Sequence, residues 1–428
     1  MAPTADTLPP TFAERFLDES FEEAAAMLSP AGRTAVVESF PEGFADDEMD
    51  ATDALEAYWW GLYGQYGPPD GVGETSVDGA VATVTLTFDE GTESATIPTD
   101  EDGVAGFAFD PEYRRPAYVD PEAFEERDVT VDAGDVDLGG VLTVPNGDGP
   151  FPGLLLVHGA GVYDPDGGDG ASRLLRDFAQ GLASASVATL RYESRLLDHE
   201  VPDADRTLDR VVTDDAVAAL AELAAAPEVR ADAPFVAGHS QGGTAAPRIA
   251  ARHGDAAGVV VLDGRADPVF GPDDVDIVRY EFDPEGDLDE EQRARLDADR
   301  ETARRLAAGD YEDDETIWGQ PGTWHRSVAE YDPVATARAF GRPTFVGKTC
   351  RADEDAQPEL AAWLRSEFEA WRDADLPEGS RVECYEGLDH FFQSGYAPTW
   401  PTSLYFGGNV AEDVVADLSE WVHGVADE

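Results

Sequence analysis

Lysine is almost missing from this chain of 428 residues. Lys348 is the single one, and Lys and Arg together number 29 against 90 Asp and Glu, a formal net charge of −61. So little positive charge leaves nothing to neutralise phosphates, which excludes nucleic acid as a partner. Cysteine is scarce as well. Cys350 and Cys384 are the only two, too few for a disulfide framework. Both stand near the ends of strands expected to be neighbours, so one bridge is conceivable, but free thiols in a reducing cytoplasm are the expectation. Long apolar runs are missing too: no stretch reaches the roughly 20 residues of a membrane span. The opening Met1-Ala2-Pro3-Thr4-Ala5-Asp6 has neither the basic nor the apolar region of a secretory signal. The expectation is a cytoplasmic protein without a membrane span.

Acidity of this degree accompanies disorder in chains poor in apolar residues. Here hydrophobic residues make up 42% and aromatics 10%, enough for a packed core. The acids are also spread along the chain rather than blocked. The composition therefore describes a folded protein adapted to molar salt, where the Debye length shrinks to about 3 Å and surface carboxylates repel one another weakly. The charge speaks to habitat, not to substrate.

The chemistry is concentrated in Gly238-His239-Ser240-Gln241-Gly242, directly after the apolar run Pro234-Phe235-Val236-Ala237. Strand, sharp turn and helix start make G-x-S-x-G a nucleophile elbow, which lifts the serine hydroxyl off the sheet and turns the next backbone N–H, that of Gln241, toward a developing oxyanion. Upstream, Phe151-Pro152-Gly153-Leu154-Leu155-Leu156-Val157 reads as a buried parallel strand ending in His158-Gly159-Ala160-Gly161. A loop of this type supplies the second oxyanion donor, here either Ala160 or Gly161. Late in the chain, Arg381-Val382-Glu383-Cys384-Tyr385 reads as a strand, and His390 follows it in the position of a general base. The orienting carboxylate is expected just past the strand Pro343-Thr344-Phe345-Val346-Gly347, where Asp353 and Asp355 are both placed for it. Acyl transfer by such a set requires neither metal nor organic cofactor.

Two regions frame this chemistry. Up to about residue 120, Thr11 to Met27 and Asp50 to Tyr66 have helical spacing, the second rich in aromatics. Gly71 to Phe109 then reads as a meander of short strands, and helices followed by strands predict a small α+β module. From residue 121 onward strands alternate with helices, which predicts a mostly parallel sheet. An insertion from Arg265 to Tyr331 interrupts the alternation. It carries a charged helix over about 289–308 and then Trp318, Trp324 and His325, residues expected to wall a substrate pocket if the insertion is a helical cap.

The whole chain resembles α/β-hydrolase-fold serine esterases that carry an extra N-terminal α+β domain, a group that includes dienelactone-hydrolase-like and serine-aminopeptidase-like proteins. The resemblance rests on Tyr118-Val119-Asp120-Pro121, Pro150-Phe151-Pro152, His158-Gly159-Ala160-Gly161, Leu190-Arg191-Tyr192, the elbow, Tyr331-Asp332-Pro333-Val334 and Gly387-Leu388-Asp389-His390-Phe391-Phe392. It implies an α/β-hydrolase fold with a cap, a small-molecule ester as substrate and a Ser240–His390–Asp triad. It also favours Asp355 as the acid, because Asp355-Ala356-Gln357 matches the acid loop of the group better than Asp353 does. The N-terminal module resembles cystatin-like or nuclear-transport-factor-like domains. Peptidase or amidase, thioesterase and acyltransferase chemistry use the same residues, and a binding protein that has lost turnover would retain them. A haloalkane dehalogenase is excluded by the serine, since its covalent step needs a carboxylate at the elbow.

Overall fold

The computed structural model describes residues 7–44, 49–168 and 170–427, and the chain divides into two compact units. The first comprises Met1–Arg114 with Asp169–Ser172 and Ser394–Gly408. Four helices, Leu8–Leu17, Phe21–Met27, Pro30–Ser39 and Ala51–Tyr66, precede an antiparallel sheet of β1 (Pro69–Asp78), β2 (Val81–Phe88), β3 (Gly91–Pro98) and β4 (Ala108–Phe109), ordered β1-β2-β3-β4. The single helix expected over Thr11–Met27 is two. Glu19 takes a left-handed backbone (φ 58°), which ends one helix and turns the chain into the next. The capping box of Asp50 and Asp53 starts the aromatic helix. Tyr58 and Leu62 are fully buried there, and Phe12, Phe16, Phe107, Phe109 and Phe406 gather around Tyr58 with ring centroids about 5–6 Å apart. The aromatics are the core of this unit, each contributing on the order of 1.5–3 kcal/mol by burial.

The second unit comprises Arg115–Gly168, Arg173–Gln393 and Asn409–Glu428. Its sheet opens with the antiparallel hairpin β5 (Phe124–Asp132) and β6 (Asp137–Pro145) and continues with β7 (Phe151–Val157), β8 (Ala188–Tyr192), β9 (Val229–His239) and β10 (Gly258–Leu262). After the small hairpin β11 (Thr316–Ile317) and β12 (Gln320–Pro321), it is completed by β13 (Thr344–Thr349) and β14 (Arg381–Tyr385). The eight strands run in the order β14-β13-β10-β9-β7-β8-β6-β5. Every pair from β8 to β14 is parallel, whereas β6 meets both β5 and β8 antiparallel. Helices such as Leu174–Ser184, Asp214–Ala225, Gln241–His253 and Pro358–Arg372 supply the crossovers that parallel pairing requires. Burial on both faces explains the near-continuous apolar strands: β10 and β13 are buried at every position. This is an α/β-hydrolase fold, with its carboxyl edge formed by the ends of β7, β9, β10 and β13.

Between β10 and β13 the chain makes its excursion. It holds the helix Glu290–Ala308, started by a capping box of Asp289 and Gln292, and the helix Gly322–Ala329. No described helix is long and apolar enough to cross a membrane. The cysteines depart from expectation, because Cys350 and Cys384 are joined as a disulfide. Parallel register explains it. Lys348 stands opposite Cys384, the Cys350 N–H donates to the Tyr385 carbonyl, and the two Cα atoms lie 6.4 Å apart, within bridging range.

Candidate active site

Ser240 sits where β9 gives way to the helix Gln241–His253, with φ 53° and ψ −117°. A non-glycine residue held there is strained, a conformation that surrounding structure must enforce. The enforcement is visible: its N–H donates to the Leu262 carbonyl at the end of β10 (2.9 Å), and its carbonyl accepts from Thr244 N–H. The flanking glycines are required by space. A Cβ on Gly238 would stand 2.1 Å from the Gly242 backbone, and one on Gly242 would stand 2.4 Å from the His158 carbonyl oxygen.

The loop after β7 closes over the elbow. A Cβ on Gly159 would be 3.3 Å from Cβ of Ser240, so backbone passes directly beside the serine. His158 is buried and its Nδ1 lies 3.0 Å from the Gly159 carbonyl oxygen; burial lowers its pKa, so it stays neutral and orders the loop. Ala160, Gly161 and Gln241 line one small cavity of ≈ 50 Å³, together with Ser194, Leu196, Arg206, Val211, Val212, Gln320 and Trp324. The three expected oxyanion donors thus share one space, and the excursion contributes Trp324 and Gln320 to its wall. Trp318 and His325 take no part in it. Trp318 is exposed, bonded through Nε1 to Asp299 (2.9 Å), and His325 bonds through Nε2 to the Ile317 carbonyl. Both belong to the packing of the excursion itself, where alternate faces of one short segment cannot all reach the same cavity.

His390 is half exposed, and its carboxylate partner is Asp263, with Nδ1 to Oδ2 at 2.5 Å. This corrects the sequence expectation. Asp355 is exposed to solvent, and Asp353 accepts the N–H groups of Asp355 and Ala356 to shape the turn before the helix Pro358–Arg372. Asp263 directly follows β10, the strand paired with the elbow strand in the register Leu262 with His239, so it stands at the same level as Ser240 on the sheet's edge. It too has a left-handed backbone, φ 50°. Its carboxylate is buried and fully engaged. Oδ1 meets Lys348 Nζ at 2.7 Å and Thr349 N–H at 3.4 Å, while Oδ2 accepts from Thr349 Oγ1 at 2.8 Å as well as from the imidazole. Burial opposes its ionisation, but Lys348 and His390 outweigh burial and hold the carboxyl well below the usual carboxylate range. Lys348 is itself buried, and its ammonium also donates to the Gly264 carbonyl.

Two further residues seat the histidine. His239, beside the serine, has Nε2 2.8 Å from the His390 carbonyl oxygen, and the two rings lie 4.7 Å apart. Burial, reinforced by repulsion from His390, pulls its pKa down to about 3, so it is a neutral donor to that carbonyl. Asp389 is paired with Arg351 at 3.0 Å and accepts the N–H groups of Phe391 and Gln393, which fixes the loop that presents His390. A hydroxyl on a strained turn, an imidazole held by an ionised carboxylate, and backbone N–H groups lining a cavity beside the elbow are the kinds of group that acyl transfer uses.

Residues 154–397 match the family model described as the alpha/beta hydrolase family. Esterase EstD of Thermotoga maritima is 30% identical over 347 residues, covering 79% of this chain and 78% of that protein. Among solved structures, an esterase of Pyrobaculum calidifontis is 15% identical, covering 71% of this chain and 86% of its own, with a TM-score of 0.45. Est1E of Butyrivibrio proteoclasticus, solved with ferulic acid bound, is 16% identical, covering 70% and 100%, with a TM-score of 0.43.

Proposed function

The chain belongs to the alpha/beta hydrolase family, and from that premise we propose that it is a serine esterase: a carboxylic ester hydrolase with Ser240 as nucleophile, His390 as general base and acid, and Asp263 as the orienting carboxylate. The observation that carries the reading is the 2.5 Å contact of His390 Nδ1 with a buried, ionised Asp263 beside the strained Ser240 elbow. A carboxylate only accepts, so Nδ1 carries the proton and Nε2 is left free to receive one. In the first half-reaction the Ser240 hydroxyl proton passes to Nε2 as Oγ bonds to the ester carbonyl carbon. The N–H of Gln241 and that of Ala160 or Gly161 hold the oxyanion. The imidazolium then gives its proton to the departing alcohol, leaving an acyl-enzyme. Water repeats the sequence and releases the acid. Each oxyanion donor is worth about 3–4 kcal/mol of barrier in comparable sites.

Relatedness to an esterase supports ester over amide chemistry. The test is a series of p-nitrophenyl esters of increasing chain length run beside matched anilides. Ester turnover abolished by Ser240→Ala is expected; anilide turnover matching the esters, or ester turnover surviving Ser240→Ala, contradicts the reading. We further propose a halophilic enzyme of a salt-rich cytoplasm, supported by the net charge of −61. Circular dichroism and activity both decline as molar salt is diluted away, and full retention of both in dilute buffer refutes this.

A further inference from the structure

Three arginines close to these cavity residues in sequence are satisfied by acids, whereas Arg206, the one arginine in the lining itself, is not. Arg195 pairs with Asp215 and Asp135, Arg210 with Asp135, and Arg191 with Glu126 and Asp166. Arg206 lines the cavity with Ala160, Gly161 and Gln241, and among the described residues it has no ion-pair partner. Its Nε is a buried donor that meets no acceptor among them. Buried donors are almost always bonded, so such a group in a functional cavity points to a partner that arrives from outside.

We propose that Arg206 is a substrate-recognition residue and that the preferred esters carry a second, ionised carboxylate. The inference rests on the esterase reading of the same site and adds the substrate class to it. A guanidinium offers several donors in a planar fork that matches a carboxylate, which a neutral ester cannot supply. Gln320, also in the lining, adds an amide. The small cavity, with Trp324, Leu196, Val211 and Val212 in its lining, limits the anionic arm to a short chain. Molar salt weakens such a contact much less than it weakens exposed charge pairs, because partly buried pairs are screened less.

The carboxylate can enter on the acyl side or the alcohol side, and two probes separate these: monomethyl succinate carries it on the acid, acetoxyacetate on the alcohol. Methyl levulinate, with a methyl ketone in place of the carboxylate, is the neutral reference. In molar KCl the wild type is expected to hydrolyse one of the anionic esters with a kcat/KM at least tenfold above methyl levulinate. Arg206→Met is expected to collapse that ratio, and Arg206→Lys to retain part of it. Calorimetric binding of the same anionic ester to Ser240→Ala, with and without Arg206→Met, reads recognition without turnover, so a failure of the esterase reading is seen separately as absent hydrolysis of every ester. Equal or better use of methyl levulinate by the wild type overturns the proposal. So does binding to Ser240→Ala that is absent, or that survives Arg206→Met unchanged.

Discussion

Replacing Asp263 by Asn changes one atom and inverts the logic of the site. Four donors converge on this carboxylate: the Lys348 ammonium, the Thr349 N–H, the Thr349 hydroxyl and the His390 ring. An amide has one oxygen and one NH2 group, so it satisfies only one side. An ammonium cannot become an acceptor, which forces the amide oxygen toward Lys348 and the NH2 toward His390. The ring must then accept at Nδ1 and carry its proton on Nε2, where it can no longer take the Ser240 proton. A wrong tautomer of this kind removes about 10³–10⁴ from kcat, or about 4–5.5 kcal/mol of transition-state stabilisation. Folding should survive, because the shape is unchanged and Lys348 keeps an acceptor. The assay is p-nitrophenyl butyrate turnover in molar KCl, with near-ultraviolet circular dichroism as the check on the fold. Asp353→Asn and Asp355→Asn run beside it and are expected to stay within about threefold of wild type. Asp263→Asn retaining a tenth or more of the activity, with either of the others collapsing, refutes the reasoning.

Lys348→Met leaves a buried Asp263 carboxylate without its ion-pair partner, a loss expected to cost about 3–5 kcal/mol in denaturant titration; an unchanged midpoint contradicts the electrostatic role of this lone lysine. Acid stability gives a second check. His239 has a folded pKa lowered to about 3 against 6.5 unfolded, so the unfolded chain binds the extra proton and stability falls as pH drops below about 6.5. At pH 5 this amounts to about 2 kcal/mol, and denaturant titrations of His239→Gln should show a loss between pH 7.5 and 5 smaller by that amount; an identical loss sinks the assignment. Thiol titration of the denatured, unreduced protein should find no free thiol, and reduction of the bridge, which spans a sequence separation of 34, should cost roughly 4 kcal/mol. Two free thiols would contradict the pairing of Cys350 with Cys384.

Much of this was legible in the chain. The proposed nucleophile and oxyanion loop stand out because a sharp turn and close backbone approach demand glycine at fixed spacing around Ser240. The period-two and buried strands, and the helices between them, follow from apolar pattern alone. The carboxylate that meets His390 did not follow, because loop carboxylates are abundant in so acidic a chain and only the sheet's strand order reveals which one stands level with the elbow. Two signals pointed at Asp263 nonetheless. It closes a fully apolar strand without any turn residue between, and the only lysine of the chain lies inside another buried strand, where it needs a buried anion. The disulfide was hidden for the same reason: Cys350 and Cys384 meet through strand register, which sequence spacing does not encode. Trp318 and His325 were indistinguishable from Trp324 because the excursion's own packing decides which face each side chain takes.

The most direct measurement of the central claim is site-mapped labelling by a fluorophosphonate in molar salt, followed by peptide mass analysis. A phosphonyl adduct confined to Ser240, formed at least a hundredfold more slowly in His390→Ala and in Asp263→Asn, is the predicted result. An adduct on a different residue, or Ser240 labelled at the same rate in all three proteins, would contradict it.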